Sequence, residues 1–221
     1  MTVWFVAAPH VLIDSERAAV VLPAAVGAVI ATQYSGESSV WVRAYQQVRA
    51  DWDSYYADLD LAGDEGLDHL WEGMYRTTRA LFRLTATPEP PKPELTTLAR
   101  SLPYESARRV DVLYPDVKPA FSQARSNGVR MVVFASVSTS QIDGWLEGGD
   151  VRAHVEKVLG FDTVERFRHD AQYWETAARI VQADPAECLV IDRLEEALNG
   201  AQMAGMQTRK FDRDQGDQLI P

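Results

Sequence analysis

His10, Asp192 and Arg193 stand where a chain of this kind can do chemistry. Cys188-Leu189-Val190-Ile191 is a short continuous apolar run, the pattern of a parallel strand buried on both faces, and it ends in Asp192-Arg193. In an open α/β sheet, ligands bind beside the carboxyl ends of the strands, so this acid and this cation are set at a working position. Thr2 to Ala8 (TVWFVAA) is denser still in β-branched and aromatic residues, and it is the best candidate for the central strand. Pro9 breaks it, which leaves His10 at its carboxyl end. Histidine trades a proton near neutral pH, so His10 is the first candidate acid or base. His69, His154 and His169 show no ligand spacing with one another, so no zinc site is expected.

The elements that must position these residues can be read from periodicity. From about Ser15 to Leu84 the pattern is helical throughout. Trp41, Ala44, Tyr45, Val48, Trp52 and Tyr55 fall at three- and four-residue steps across Val40 to Tyr56; Leu70, Trp71, Met74, Tyr75, Thr78 and Phe82 do the same across Leu67 to Leu84. Pro88, Pro90, Pro91 and Pro93 predict a stiff connector rather than a helix. A helix follows from Val117 to Ser126, stopped by Asn127-Gly128, and then a second buried strand from Val129 to Ala135. A helix over Asp170 to Ala183 closes at Asp184-Pro185. The strand ending in Asp192 comes next, then a helix with Leu194, Leu198, Ala201 and Met203 inward and Gly205 as its stop. Gln207 to Phe211 gives a further strand. Strands alternating with helices predict an α/β fold, a parallel sheet with right-handed crossovers. Residues 1–14 and 108–221 form its core, and residues 15–107 form an all-helical insertion that carries the connector 88–93.

The chain has 221 residues, with 46% hydrophobic and 24% charged, ordinary values for a globular protein able to bury a core. Its net charge of −10 argues against nucleic acid or an anionic membrane as partner, since both need a basic surface. The lone Cys188, in a predicted buried strand, implies no disulfide framework and a reducing cytoplasm. The N-terminal MTVWFVAAPHVLI has no basic segment of the signal-peptide kind. Ala18 to Ala31 is apolar but short for a bilayer span, and Pro23 and Gly27 interrupt it; a buried helix is expected.

Phe161-Asp162-Thr163 followed by Arg168, and Asp192 followed by Ala201, Ala204, Gly205 and Met206, carry a likeness. Leu113-Tyr114-Pro115-Asp116-Val117 and Phe134-Ala135-Ser136 extend it over most of the chain. The sequence resembles the haloacid dehalogenase (HAD) superfamily, most closely the enolase-phosphatases (acireductone synthases) of methionine salvage. That resemblance implies a Rossmann-like parallel sheet with helices on both faces and a helical cap, over 15–107, that closes on the active site.

Position by position, the same likeness exposes replacements. The family's first strand ends in D-x-E-G-T, with the first acid as nucleophile and the second as proton donor. Aligned on Val3–Val6, these fall on Ala7 and Pro9, which offer neither a nucleophile nor a proton. A rival register uses Asp14-Ser15-Glu16, itself D-x-E; the same residues also read as a helix N-terminus, and that reading is preferred. Ser136 keeps the position of the serine that donates to the phosphoryl group; a helix cap, which Ser138 or Thr139 could equally supply, is its alternative. Arg168 falls at the family lysine and retains a cation that can anchor an anion, or else is a solvated surface arginine. Asp192-Arg193 replaces the Asp-Asp that holds Mg²⁺. A guanidinium about 4 Å from a divalent ion costs roughly 8 kcal/mol at an effective dielectric near 20, so Arg193 must swing outward or take the metal's place beside Asp192.

Three readings follow. The first is a repurposed enzyme, without cofactor or metal, that acts by acid–base chemistry on a small anionic or carbonyl-containing metabolite. In it His10 and Asp192 are catalytic and Ser136, Arg168 and Arg193 bind substrate. The second is a non-catalytic protein that binds a metabolite or a partner. The third is a Mg²⁺-dependent phosphatase using Asp14 and Glu16.

Overall fold

The computed structural model describes residues 2–34, 36–61, 65–164 and 166–219. Strand β1 (Val3–Ala7) is followed by a wide turn over Ala8–Leu12. Four helices come next: α1 (Ser15–Gln33), α2 (Ser38–Ala50), α3 (Gly66–Leu84) and α4 (Lys92–Ala107). Then α5 (Val117–Ser126), β2 (Arg130–Phe134), α6 (Thr139–Gly148), β3 (Lys157–Leu159) and the short α7 (Phe161–Val164) follow. The chain ends through α8 (Ala171–Ile180), β4 (Cys188–Asp192), α9 (Glu195–Met203) and β5 (Gln207–Lys210).

Among the described residues, five parallel strands form one sheet in the order β3-β2-β1-β4-β5. The most apolar run takes the centre, because β1 has a strand on each side and side chains buried on both faces. Phe5 and Phe134 meet Trp174 of α8 edge-on, at 6.1 and 5.0 Å between ring centroids, a favoured geometry for aromatic pairs. The register Val6↔Val133 and Val6↔Ile191 brings the carboxyl ends of β1, β2 and β4 to one edge.

Helices α1 to α4 enclose an apolar cluster of their own, with Val26, Ile30, Trp41, Leu81, Phe82 and Leu95 at its centre. Phe82 packs edge-on to Trp41 and Tyr34. By length and apolar content α1 could cross a bilayer; here Val26, Val29 and Ile30 enter this cluster, and Ala18 and Leu22 enter the sheet's core.

The structure revises several sequence readings. The edge strand β3 was missed, since three residues carry no readable period. The helix read over Val40 to Tyr56 stops at Asp51, and Trp52–Tyr55 forms a separate 3₁₀ turn. The proline connector ends at Pro91, because Pro93 lies in the first turn of α4, where its missing N–H costs nothing. Met203, read as inward, is 69% exposed at the end of α9.

Candidate functional site

Ala7 ends β1, wholly buried and opposite Phe134 of β2. The turn after it is closed by the Ile13 N–H donating to the Ala8 carbonyl at 3.0 Å. His10 is exposed in this turn with φ 67°, left-handed backbone that favours glycine. The glycine of the D-x-E-G-T pattern falls on this position. Arg213 clamps the turn from the far end of the chain: its Nε and Nη2 donate to the Val11 carbonyl at 3.1 and 2.6 Å. Its Nη1 pairs with Asp116 at 2.7 Å, and the guanidinium stacks on Tyr114 and Phe211. Asp14 is the N-cap of α1, its Oδ1 accepting the Arg17 N–H at 2.9 Å.

At the end of β4, Asp192 is fully buried. Its Oδ2 accepts from Arg168 Nη1 at 3.2 Å and its Oδ1 from the Leu194 N–H at 3.1 Å. Burial pushes the Asp192 carboxyl above its ordinary value; Arg168, the backbone N–H groups of Leu194 and Arg193, and the charge of His10 pull it back. Arg168 is therefore no free surface arginine. Its carbonyl accepts the Trp174 indole N–H at 2.7 Å, and Gly200 of α9 lies so close that a Cβ there would stand 2.8 Å from that carbonyl oxygen. Tyr173 lies in the same electrostatic neighbourhood. Its buried hydroxyl has no hydrogen-bond partner among the described residues, and burial, partly offset by Arg168, drives its pKa far up.

Arg193 is not part of this cluster. It pairs with Asp214 at 2.8 Å and lies 4.0 Å from Asp212. Ser136 is exposed in the bend after β2, while Ser138 caps α6 by accepting the Gln141 N–H. The structure thus brings Asp192 and Arg168 together within reach of the charge on His10. Sequence reasoning missed Tyr173 as a polar neighbour, and missed Arg213, whose partners lie at sequence separations of 97 and 202. Beside Pro9 opens a cleft of about 440 Å³, lined by Ile13, Ser15, Arg49, Gln141 and Trp145.

A family model for haloacid dehalogenase-like hydrolases matches residues 11–204. The chain belongs to the haloacid dehalogenase-like hydrolase family. Among curated HAD relatives, the enolase-phosphatase E1 of Enterobacter sp. (strain 638) is 29% identical over 108 residues, covering 48% of this chain and 46% of the relative. That of Synechococcus elongatus is 31% identical over 109 residues, covering 48% and 45%. The chain spans about half the length of the curated relatives it matches. The L-2-haloacid dehalogenase PA0810 superposes with a TM-score of 0.63 at 14% identity, covering 96% of this chain and 85% of that one. The UTR4 protein of Saccharomyces cerevisiae gives 0.57 at 11%, covering 96% and 89%. These two likenesses carry the HAD fold alone. The HAD-like match begins at Val11, beyond the end of β1 where Ala7 and Pro9 stand.

Proposed function

We propose that this HAD-like chain is a metal-independent enzyme that moves a proton on a small anionic or carbonyl-containing metabolite. His10 takes a proton from carbon beside a carbonyl and returns it elsewhere on the same molecule, so no electron acceptor is needed. Arg168 supplies positive charge for the anion, and Ser136 offers a hydroxyl at the same sheet edge. Asp192 fixes Arg168. Arg193, engaged by Asp214, has no ligand contact in this reading. Helices α1 to α4 act as the cap, and the lone buried Cys188 suits a reducing cytoplasm.

The observation that carries the reading is His10. A histidine held in left-handed backbone costs about 1–3 kcal/mol, and such strain gathers at functional sites.

The donor set does not fit the magnesium ion that the family implies. Mg²⁺ demands near-octahedral oxygen ligands, usually with one or two carboxylates. Ala7 supplies no side-chain oxygen, and both oxygens of Asp192 are engaged within the chain. Among the described residues no three of His, Cys, Asp and Glu group as metal ligands. The Asp14–Glu16 register fares no better, because Asp14 is occupied as a helix cap.

The test is deuterium incorporation from D₂O into a panel of small 2-oxo acids and 1,2-diketones, followed by NMR with and without EDTA. Exchange that survives EDTA and falls by about 100-fold or more in His10→Ala supports the proposal. Mg²⁺-dependent phosphate release from an aryl phosphate, abolished by Asp14→Asn, overturns it. A second reading, a non-catalytic metabolite-binding protein, is favoured by the same full engagement of Asp192; saturable binding without exchange would select it.

A further inference from the structure

The cleft beside Pro9 does not end at the sheet. Leu22, Tyr45, Trp52 and Gln141 line both it and an inner cavity of about 80 Å³ between α1, α2, α3 and α4. The threonine and serine hydroxyls of the inner walls are turned back on their own helices. Thr77 and Thr78 both donate to the Met74 carbonyl, at 2.9 and 2.8 Å, and Ser106 donates to that of Leu102 at 2.7 Å. Among the described residues that line either space, Arg49 alone is charged. It stands on α2 one turn beyond Tyr45, on the same face, and makes no ion pair among the described residues. In a chain of net charge −10, a guanidinium without an ion-pair partner among the described residues, at the mouth of an apolar passage, marks the place of an anionic head.

We infer that this passage takes an organic carboxylate with a short unbranched apolar tail, the carboxylate on Arg49 and the tail between the helices of the insertion. The inner cavity of about 80 Å³ has room for further methylene-sized groups beyond those held in the cleft. The inference rests on the reading of α1 to α4 as the cap, and it is separate from the anion contact assigned to Arg168, which does not line this cleft.

Calorimetric titration of the full chain with acetate, butanoate, hexanoate and octanoate tests it, with octan-1-ol as the uncharged control. Affinity is expected to rise roughly fourfold per methylene, with octan-1-ol weaker than octanoate. Arg49→Gln, at an exposed position, is expected to weaken octanoate binding by about tenfold or more. Ala99→Leu, which fills the inner cavity, is expected to flatten the dependence on chain length. Affinity independent of chain length in the wild type, or unchanged by Arg49→Gln, overturns the inference, and so does an absence of octanoate binding. The same titrations on His10→Ala keep the two proposals apart: proton exchange is lost there, and octanoate binding is expected to be retained.

Discussion

Arg168 Nη1 and Asp192 Oδ2 stand 3.2 Å apart, the carboxylate wholly buried and the arginine side chain 13% exposed. Removing one member of such a pair strands the other charge. Arg168→Met is therefore expected to cost about 3–5 kcal/mol in urea unfolding. Adding Asp192→Asn should recover part of that loss, with a coupling of about 1 kcal/mol or more between the two positions. Additive effects would mean that the pair carries no interaction of its own.

Asp192 also sets a pH dependence. Burial raises its carboxyl above the ordinary value of 3.8, so the folded state holds the proton more tightly than the unfolded chain. Stability from this group is full below the ordinary value. It declines as pH rises through the window up to the raised folded value and is level above it. Asp192→Asn removes that slope. As pH rises from below 3.8 through the raised folded value, the wild type should lose stability relative to Asp192→Asn; a relative gain with rising pH would contradict the assignment.

His10 occupies a backbone conformation that glycine adopts without strain. His10→Gly is expected to raise stability by about 1 kcal/mol while abolishing proton exchange. Thermal unfolding and the D₂O assay on one preparation give both readouts. A less stable His10→Gly protein would show that the side chain holds the turn together.

Asp14 caps α1 and is assigned no other role. Asp14→Ala should cost about 1 kcal/mol and leave the proton-exchange rate unchanged. A loss of activity with no change in stability would restore Asp14 to the chemistry.

Much of this arrangement is legible in the sequence. Cys188–Asp192 and Val117–Ser126 coincide with the elements read from their apolar runs and stops; for the strand, burial on both faces leaves few compatible residue types. The meeting of Asp192 with Arg168 was legible only through the family likeness. No local pattern joins residues 24 apart. The direction of Arg193 was not legible, because a long side chain at a strand end chooses among partners that folding brings in later. Here those are Asp212 and Asp214 from beyond β5. Strand β3 was hidden by its brevity, and Met203 by its place in the last turn of α9, where a periodic stripe runs past the core it serves.

Titration of Mg²⁺ into the full chain by calorimetry tests the central claim most directly, with Asp192→Asn as the control. No heat beyond dilution is expected in either protein. A dissociation constant in the micromolar range for the wild type, lost in Asp192→Asn, would contradict the metal-free site and return the chain to the magnesium chemistry of its family.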